Sequence, residues 1–165
     1  MKKRNDKLLL AVLCVIAFAL IGCGSLKKSK CTEVIENFEA SCNQLDISGI
    51  LNCIDPKISD PLKGIATIGD MFSSQDSSTY FLDIIDRIGS GLTNSIAGSD
   101  TSASELFSGI QIEPDKYKLK SREGTIICIT TFQVNGMEIK KNIAFQMVKK
   151  NDSWYIAGLE LISDK

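Results

Sequence analysis

Asn135-Gly136 stands between two long runs rich in β-branched and aromatic residues, Thr125 to Val134 (TIICITTFQV) and Met137 to Val148. Asn-Gly favours the tight turn whose two central residues both take positive φ, and that turn twists in the same sense as a pair of antiparallel strands. The runs on either side are therefore expected to pair as a hairpin. In the second run Ile139, Ile143, Phe145 and Met147 recur on one face, the period of a strand. The first run is apolar almost throughout, which predicts a central strand covered on both faces. Before it, Tyr117, Leu119 and Ser121 alternate with Lys116, Lys118 and Lys120, a strand with one wet face, and Glu123-Gly124 turns the chain. After it, Lys149 to Ser153 forms a second turn and Trp154 to Ile162 a last strand. Four strands joined by short turns predict an antiparallel meander.

Upstream of a soft boundary at Ile110 to Asp115 the period becomes helical. Thr32 is placed to cap a first helix, with Glu33 and Glu36 bringing negative charge to its first turn. Val34, Ile35, Phe38, Cys42 and Leu45 follow at helical spacing. Ile47 to Ile54 fits a shorter helix, which Asp55-Pro56 is expected to end, and Pro61 fits the first turn of another, running to about Phe72. Ser73 to Thr79 reads as a polar loop. Tyr80, Phe81, Ile84, Ile85, Ile88 and Leu92 form the strongest helical pattern in the chain. Ser95 to Ser104 has the composition of a linker, and Ala103 to Phe107 of one short turn. Helices followed by strands predict an α+β domain, N-terminal helices packed on a four-stranded antiparallel sheet.

The first residues constrain location. Met-Lys-Lys-Arg and Lys7 precede Leu8 to Ile21, fourteen residues without a charge. This is short for a membrane span, which needs about 20 apolar residues, and has the form of a secretory leader. Its end, Leu20-Ile21-Gly22-Cys23, resembles the lipobox of bacterial lipoproteins. The resemblance implies a signal peptide over 1–22, a diacylglyceryl group on the sulfur of Cys23, and an extracytoplasmic chain anchored to the bacterial cell membrane. Ser25 to Lys30 (SLKKSK) reads as a polar tether, so that 23–30 is lipidated cysteine and tether and 31–165 a single domain. Lys27, Lys28 and Lys30 are suited either to anionic lipid or to plain solvation. Removal of the leader takes Lys2, Lys3, Arg4 and Lys7 but only one carboxylate, Asp6, and leaves the rest of the chain net acidic.

Composition excludes several functions. The chain has no histidine, so it has no Ser-His or Cys-His catalytic pair and no His-ligated metal or haem. With 19 Lys+Arg against 20 Asp+Glu it lacks the basic excess of a nucleic-acid binder. No phosphate-cradling glycine motif or C-x-x-C pair occurs, and no cofactor or metal site is expected. Asn151-Asp152-Ser153 matches a glycosylation sequon but reads more simply as a turn. Beyond Cys14 in the leader and Cys23, the cysteines are Cys31, Cys42, Cys53 and Cys128. Eleven residues along one helix separate Cys31 and Cys42 by about 16 Å, too far for a disulfide, whose Cα atoms lie within about 7 Å. A bridge Cys42–Cys53 or Cys31–Cys53 stays open. Cys128, inside an apolar strand, reads as a small buried hydrophobe.

Val34-Ile35-Glu36-Asn37-Phe38 with Leu45-Asp46, then Phe132-Gln133-Val134-Asn135-Gly136, then Lys149-Lys150-Asn151-Asp152-Ser153-Trp154-Tyr155-Ile156 resemble, in order and spacing, the nuclear-transport-factor-like superfamily, the cystatin-like α+β roll. The resemblance covers Cys31 to Leu161 and implies a curved sheet roofed by helices. Three readings of function follow. The first is a non-catalytic module that binds a small apolar ligand or an envelope protein, with Phe38, Tyr80, Phe132, Phe145 and Trp154 as pocket candidates; large apolar residues at such spacing are usually core. The second is an enzyme like the ketosteroid isomerases of the superfamily, where a carboxylate base works with a phenol or protonated Asp. Asp46, Asp83, Asp86 and Tyr80 have the right chemistry, but none falls on a family motif. The third is a structural module, a homodimer through the exposed sheet face.

Overall fold

The computed structural model describes residues 25–69, 82, 84–89, 92, 96, 106–134 and 136–162, the side chains of 64–69 excepted. The leader, Cys23, Tyr80 and the loop assigned to Ser73 to Thr79 lie outside these residues. Three helices open the described chain: α1 (residues 25–43), α2 (Ile47–Cys53) and α3 (Pro56–Gly69). Residues 84–89 form α4, and Leu82, Leu92 and Ile96 are also helical. The strands are β1 (Gln111–Leu119), β2 (Glu123–Val134), β3 (Met137–Lys150) and β4 (Ser153–Ile162). They form one antiparallel sheet in the order β1-β2-β3-β4, the meander that the turns predict.

The turns carry the register. Gly136 has φ +75°, the left-handed region that the β2–β3 hairpin needs and that glycine enters without strain. At the β3–β4 turn Asn151 and Asp152 both take positive φ, +46° and +65°, as a two-residue turn of matching twist requires. One face of the sheet carries the core. Ile126, Cys128 and Phe132 on β2, Ile143, Phe145 and Met147 on β3, and Trp154, Ile156 and Leu159 on β4 are buried under Ile35, Phe38, Leu51, Ile84 and Ile88 of the helices. The opposite face is more open than a strand covered on both sides would be: Ile129 is 37% exposed and Ile127 half-buried. An apolar run of ten residues does not distinguish the two cases.

Glu123-Gly124 opens β2 instead of turning the chain, which turns at residues 120–122, and three further boundaries differ from the sequence-based expectation. Residues 25–30 are helical, so the stretch that reads as a tether is the start of α1, and Thr32 lies inside the helix. Its hydroxyl meets the Tyr117 hydroxyl at 2.9 Å instead of capping. Second, Pro56 rather than Pro61 opens α3. A proline is welcome in the first turn, where no helical N–H is needed, and Asp55 Oδ1 accepts the Lys57 N–H at 2.9 Å as an N-cap does. Asp55-Pro56 thus both stops α2 and starts α3, and Pro61 sits within α3. Third, β1 begins at Gln111. Pro114 is tolerated because β1 is an edge strand, and a register shift falls between Pro114 and Lys116. Ile96, in the stretch with linker composition, is helical and buried; it follows Leu92 by one helical turn.

α1 ends in a paired-bond cap. Leu45 N–H donates to the Cys42 carbonyl (3.1 Å) and Asp46 N–H to the Ser41 carbonyl (2.9 Å), with Leu45 at φ +51° where glycine is usual. α2 then folds back against α1 so tightly that a Cβ on Gly49 would lie 2.3 Å from Ser41 Oγ.

Each sheet edge is tied at one place to the helical layer, which hinders pairing with other chains there. Along β1, Glu39 of α1 accepts the Ile112 N–H at 2.9 Å. Asn43 accepts from Gly109 N–H (2.8 Å) and donates to the Ile110 carbonyl (3.0 Å). Along β4, Asp55 N–H donates to the Ile156 carbonyl at 2.9 Å, beside a parallel bridge from Ile54 to Ile156.

Candidate binding pocket

α4 lies against the far half of β4, next to an irregularity in the β3–β4 pairing. The β3–β4 register shifts between Gln146 and Met147, since Gln146 faces Gly158 while Met147 faces Ile156. Ala157 is the extra residue, and such a bulge bends its strand. Beside the bulge, Gly158 faces the backbone of α4: the Ile88 carbonyl oxygen lies 3.6 Å from where a Cβ on Gly158 would stand, an ordinary contact distance. Between helix and strand lies a pocket of about 530 Å³, open on one side. That volume falls within the range of small-molecule sites.

The lining is amphipathic. Ile88, Leu92, Leu159 and Leu161 supply apolar surface, while Arg87, Gln146 and Glu160 supply polar groups. Gln146 Oε1 accepts the Thr125 hydroxyl at 2.9 Å, which leaves its amide N–H₂ as a donor. With the Arg87 guanidinium this makes a donor-rich side suited to an oxygen-bearing group.

The four described aromatic candidates do not line this pocket. Phe38, Phe132, Phe145 and Trp154 are at most 4% exposed and belong to the core. Phe38 and Phe145 meet edge-to-face with centroids 6.0 Å apart, and Phe107 and Phe132 with centroids 6.3 Å apart. These rings pack against each other because they fall on the inward face of α1, β2 and β3. Ile88 and Leu92 belong to the helical pattern read in the sequence, but nothing local in the sequence joins them to Gln146, Gly158 and Glu160.

Two buried hydroxyls, Ser59 Oγ in α3 and Thr130 Oγ1 on the inner face of β2, have no hydrogen-bond partner among the described residues. Neither lines the pocket. Asp55, the buried carboxylate among the described residues, is 7% exposed. Burial pushes its carboxyl up, but hydrogen bonds from Lys150 and from the Lys57 backbone, with the charges of both lysines, outweigh this and hold it below the usual range. Such a group is a structural anion and not a base poised near neutrality. No three His, Cys, Asp or Glu side chains converge among the described residues as a metal site would require.

Cys31, Cys42, Cys53 and Cys128 are buried free thiols in this structure, and Cys42 and Cys53 are neighbours. Burial, with the neighbouring Cys53 and Glu39 adding to it, pushes the Cys42 thiol well up. Burial raises Cys31 and Cys53 to about 11 and Cys128 to about 12. The thiolate is the reactive form, so the folded chain should react with a soluble aromatic disulfide about a hundredfold more slowly than the urea-unfolded chain. Fast reaction of any of the four in the native state would show that the helix or strand carrying it opens readily.

No family model matches the chain, and no curated protein matches it. Solved structures do. An NTF-2-like protein of unknown function from Shewanella oneidensis MR-1 superposes with a TM-score of 0.50 over 82% of this chain and 98% of that one, at 7% identity. A SEC-C motif containing protein from Rhodopseudomonas palustris is more distant, at a TM-score of 0.43, 15% identity and 75% and 72% coverage. At 7% identity the first likeness speaks for architecture alone. Helices on one face of a four-stranded antiparallel meander, matched along nearly all of a solved neighbour, give this chain the α+β fold of the NTF-2-like proteins.

Proposed function

We propose that the chain is a membrane-anchored extracytoplasmic lipoprotein whose domain binds a small amphipathic molecule without chemical conversion. The anchor rests on the basic start, the fourteen-residue apolar run and the Leu20-Ile21-Gly22-Cys23 box. The binding role rests on the pocket between α4 and β4, where Arg87 and Gln146 offer donors beside Leu92, Leu159 and Leu161. The fold hosts many activities and does not choose among them.

The test is native mass spectrometry of the full chain, released from membranes in mild detergent, followed by denaturing spectra of the same sample. The expected result is one extra mass per chain that disappears on denaturation. Arg87→Ala alters an exposed side chain, so the fold should survive, while occupancy should fall about tenfold through loss of a charge-assisted hydrogen bond. A clean native mass across repeated preparations would overturn the ligand reading in favour of an envelope protein partner. A second reading, a homodimer through the open sheet face, is favoured by Ile129, exposed at mid-sheet beside half-buried Ile127. The same native spectra would show it as a doubled mass.

A further inference from the structure

The path of α1 brings basic residues from three parts of the chain to one end of the domain. Lys28 Nζ stands 4.5 Å over the ring of Tyr117, near the close of β1, and Thr32 bonds the hydroxyl of the same ring. The charge of Lys30 also acts on Asp152 in the β3–β4 turn, whose carboxyl is held low chiefly by the hydrogen bond and charge of Lys149. The Lys149 N–H donates to the Arg122 carbonyl at 2.7 Å, which ties the β3–β4 turn to the β1–β2 turn. The start of α1 and both turns therefore share one end of the sheet, opposite the β2–β3 hairpin.

Most carboxylates at this end are already matched: Glu123 pairs with Lys120 at 2.9 Å, Asp152 with Lys149 at 2.8 Å, and Asp55 with Lys150. Lys27, Lys28, Lys30, Lys118 and Arg122 make no ion pair among the described residues. Leu26, in the first turn of α1, is 62% exposed.

We propose that this end of the domain is a docking surface for an anionic phospholipid bilayer. The proposal rests on the lipoprotein reading above. In sequence only Gly24 separates Cys23 from the helical Ser25. At about 3.5 Å per residue the basic end then lies within about 10 Å of the acylated residue, close to the reach of a surface charge at physiological salt. Each basic residue held there strengthens association about fivefold. The remainder of the chain is net acidic and is repelled by the same surface, so the charges orient the domain. Leu26 is placed to enter the headgroup layer.

The experiment uses the full chain in vesicles with about one third phosphatidylglycerol, carrying a fluorophore on Ser121→Cys at the basic end or on Met137→Cys at the opposite end. The buried native thiols leave the new cysteine as the reactive one. Quenching by nitroxide on lipid headgroups should be strong at position 121 and weak at 137. It should fall about tenfold or more in Lys118→Glu/Arg122→Glu, and in high salt. Equal quenching at both positions, or quenching indifferent to salt and charge reversal, would overturn the proposal; so would an unquenched label at 121, the outcome if the patch serves an acidic protein. Intact mass of the same sample reads the lipid on Cys23 separately. If that lipid is absent the anchor reading fails, and salt-sensitive vesicle binding of the unlipidated chain, lost on charge reversal, still decides the patch.

Discussion

Replacing Phe145 by alanine is expected to lower the unfolding free energy by about 4 kcal/mol. Phe145 lies on β3, a central strand, opposite Ile126 of β2 and Leu159 of β4. It is 1% exposed, and its ring meets Phe38 of α1 edge-to-face at 82°. One side chain thus joins three strands to the first helix. Truncation removes the buried ring, opens a cavity that the flanking sheet cannot close, and leaves Phe38 without its aromatic neighbour. Phe145→Leu keeps most of the volume and should cost about half as much. Urea unfolding followed by Trp154 fluorescence and by far-ultraviolet dichroism measures both. A loss under about 1 kcal/mol for the alanine variant would mean that the ring borders open space, which would return Phe145 to the pocket candidates.

The sheet is legible in the sequence because its signals are local. Asn135-Gly136 and Asn151-Asp152 set two turns, and Ile139, Ile143, Phe145 and Met147 mark the inward face of β3 by alternation alone. The missed boundaries depend on context. Pro114 looks like a break in β1 until the strand is known to be an edge, where the missing N–H goes unneeded. Ser25 to Lys30 looks like a tether because its surface is charged, yet Cys31 and Ile35 bury the other side of the same helix. Thr32 looks like a cap; its partner is Tyr117, 85 residues away. The pocket was least legible of all. Arg87, Gln146, Gly158 and Glu160 meet only because α4 lies against β4 beside a bulge, a long-range arrangement that no periodicity encodes. The aromatic residues that stand out in the sequence serve the core, where their area contributes most to stability.

Asp55→Ala is expected to cost about 3 kcal/mol at neutral pH, because one residue makes three contacts and its carboxylate makes two of them. Its Oδ1 caps α3 through the Lys57 N–H and also accepts Lys150 at the end of β3, while its own N–H holds the Ile156 carbonyl of β4. The alanine variant keeps the backbone bond but loses the cap and leaves Lys150, 27% exposed, without its partner. Asp55→Asn separates the two losses: the amide oxygen can still cap, so only the charge pair goes, and the cost should be smaller. The pH dependence gives a second handle. The folded pKa of Asp55 lies below its usual 3.8, so the unfolded chain binds the proton first. The stabilisation is present in full above about pH 4 and is lost as pH falls through the folded value. Thermal unfolding of the native chain should therefore show an acid loss that Asp55→Asn lacks at this position, narrowing the gap between the two proteins as pH drops below 4. A gap that stays constant from neutral pH down to acid would mean that the charge of Asp55 contributes nothing and that the junction of α2, α3 and β4 is held by its backbone bonds and its apolar neighbours alone.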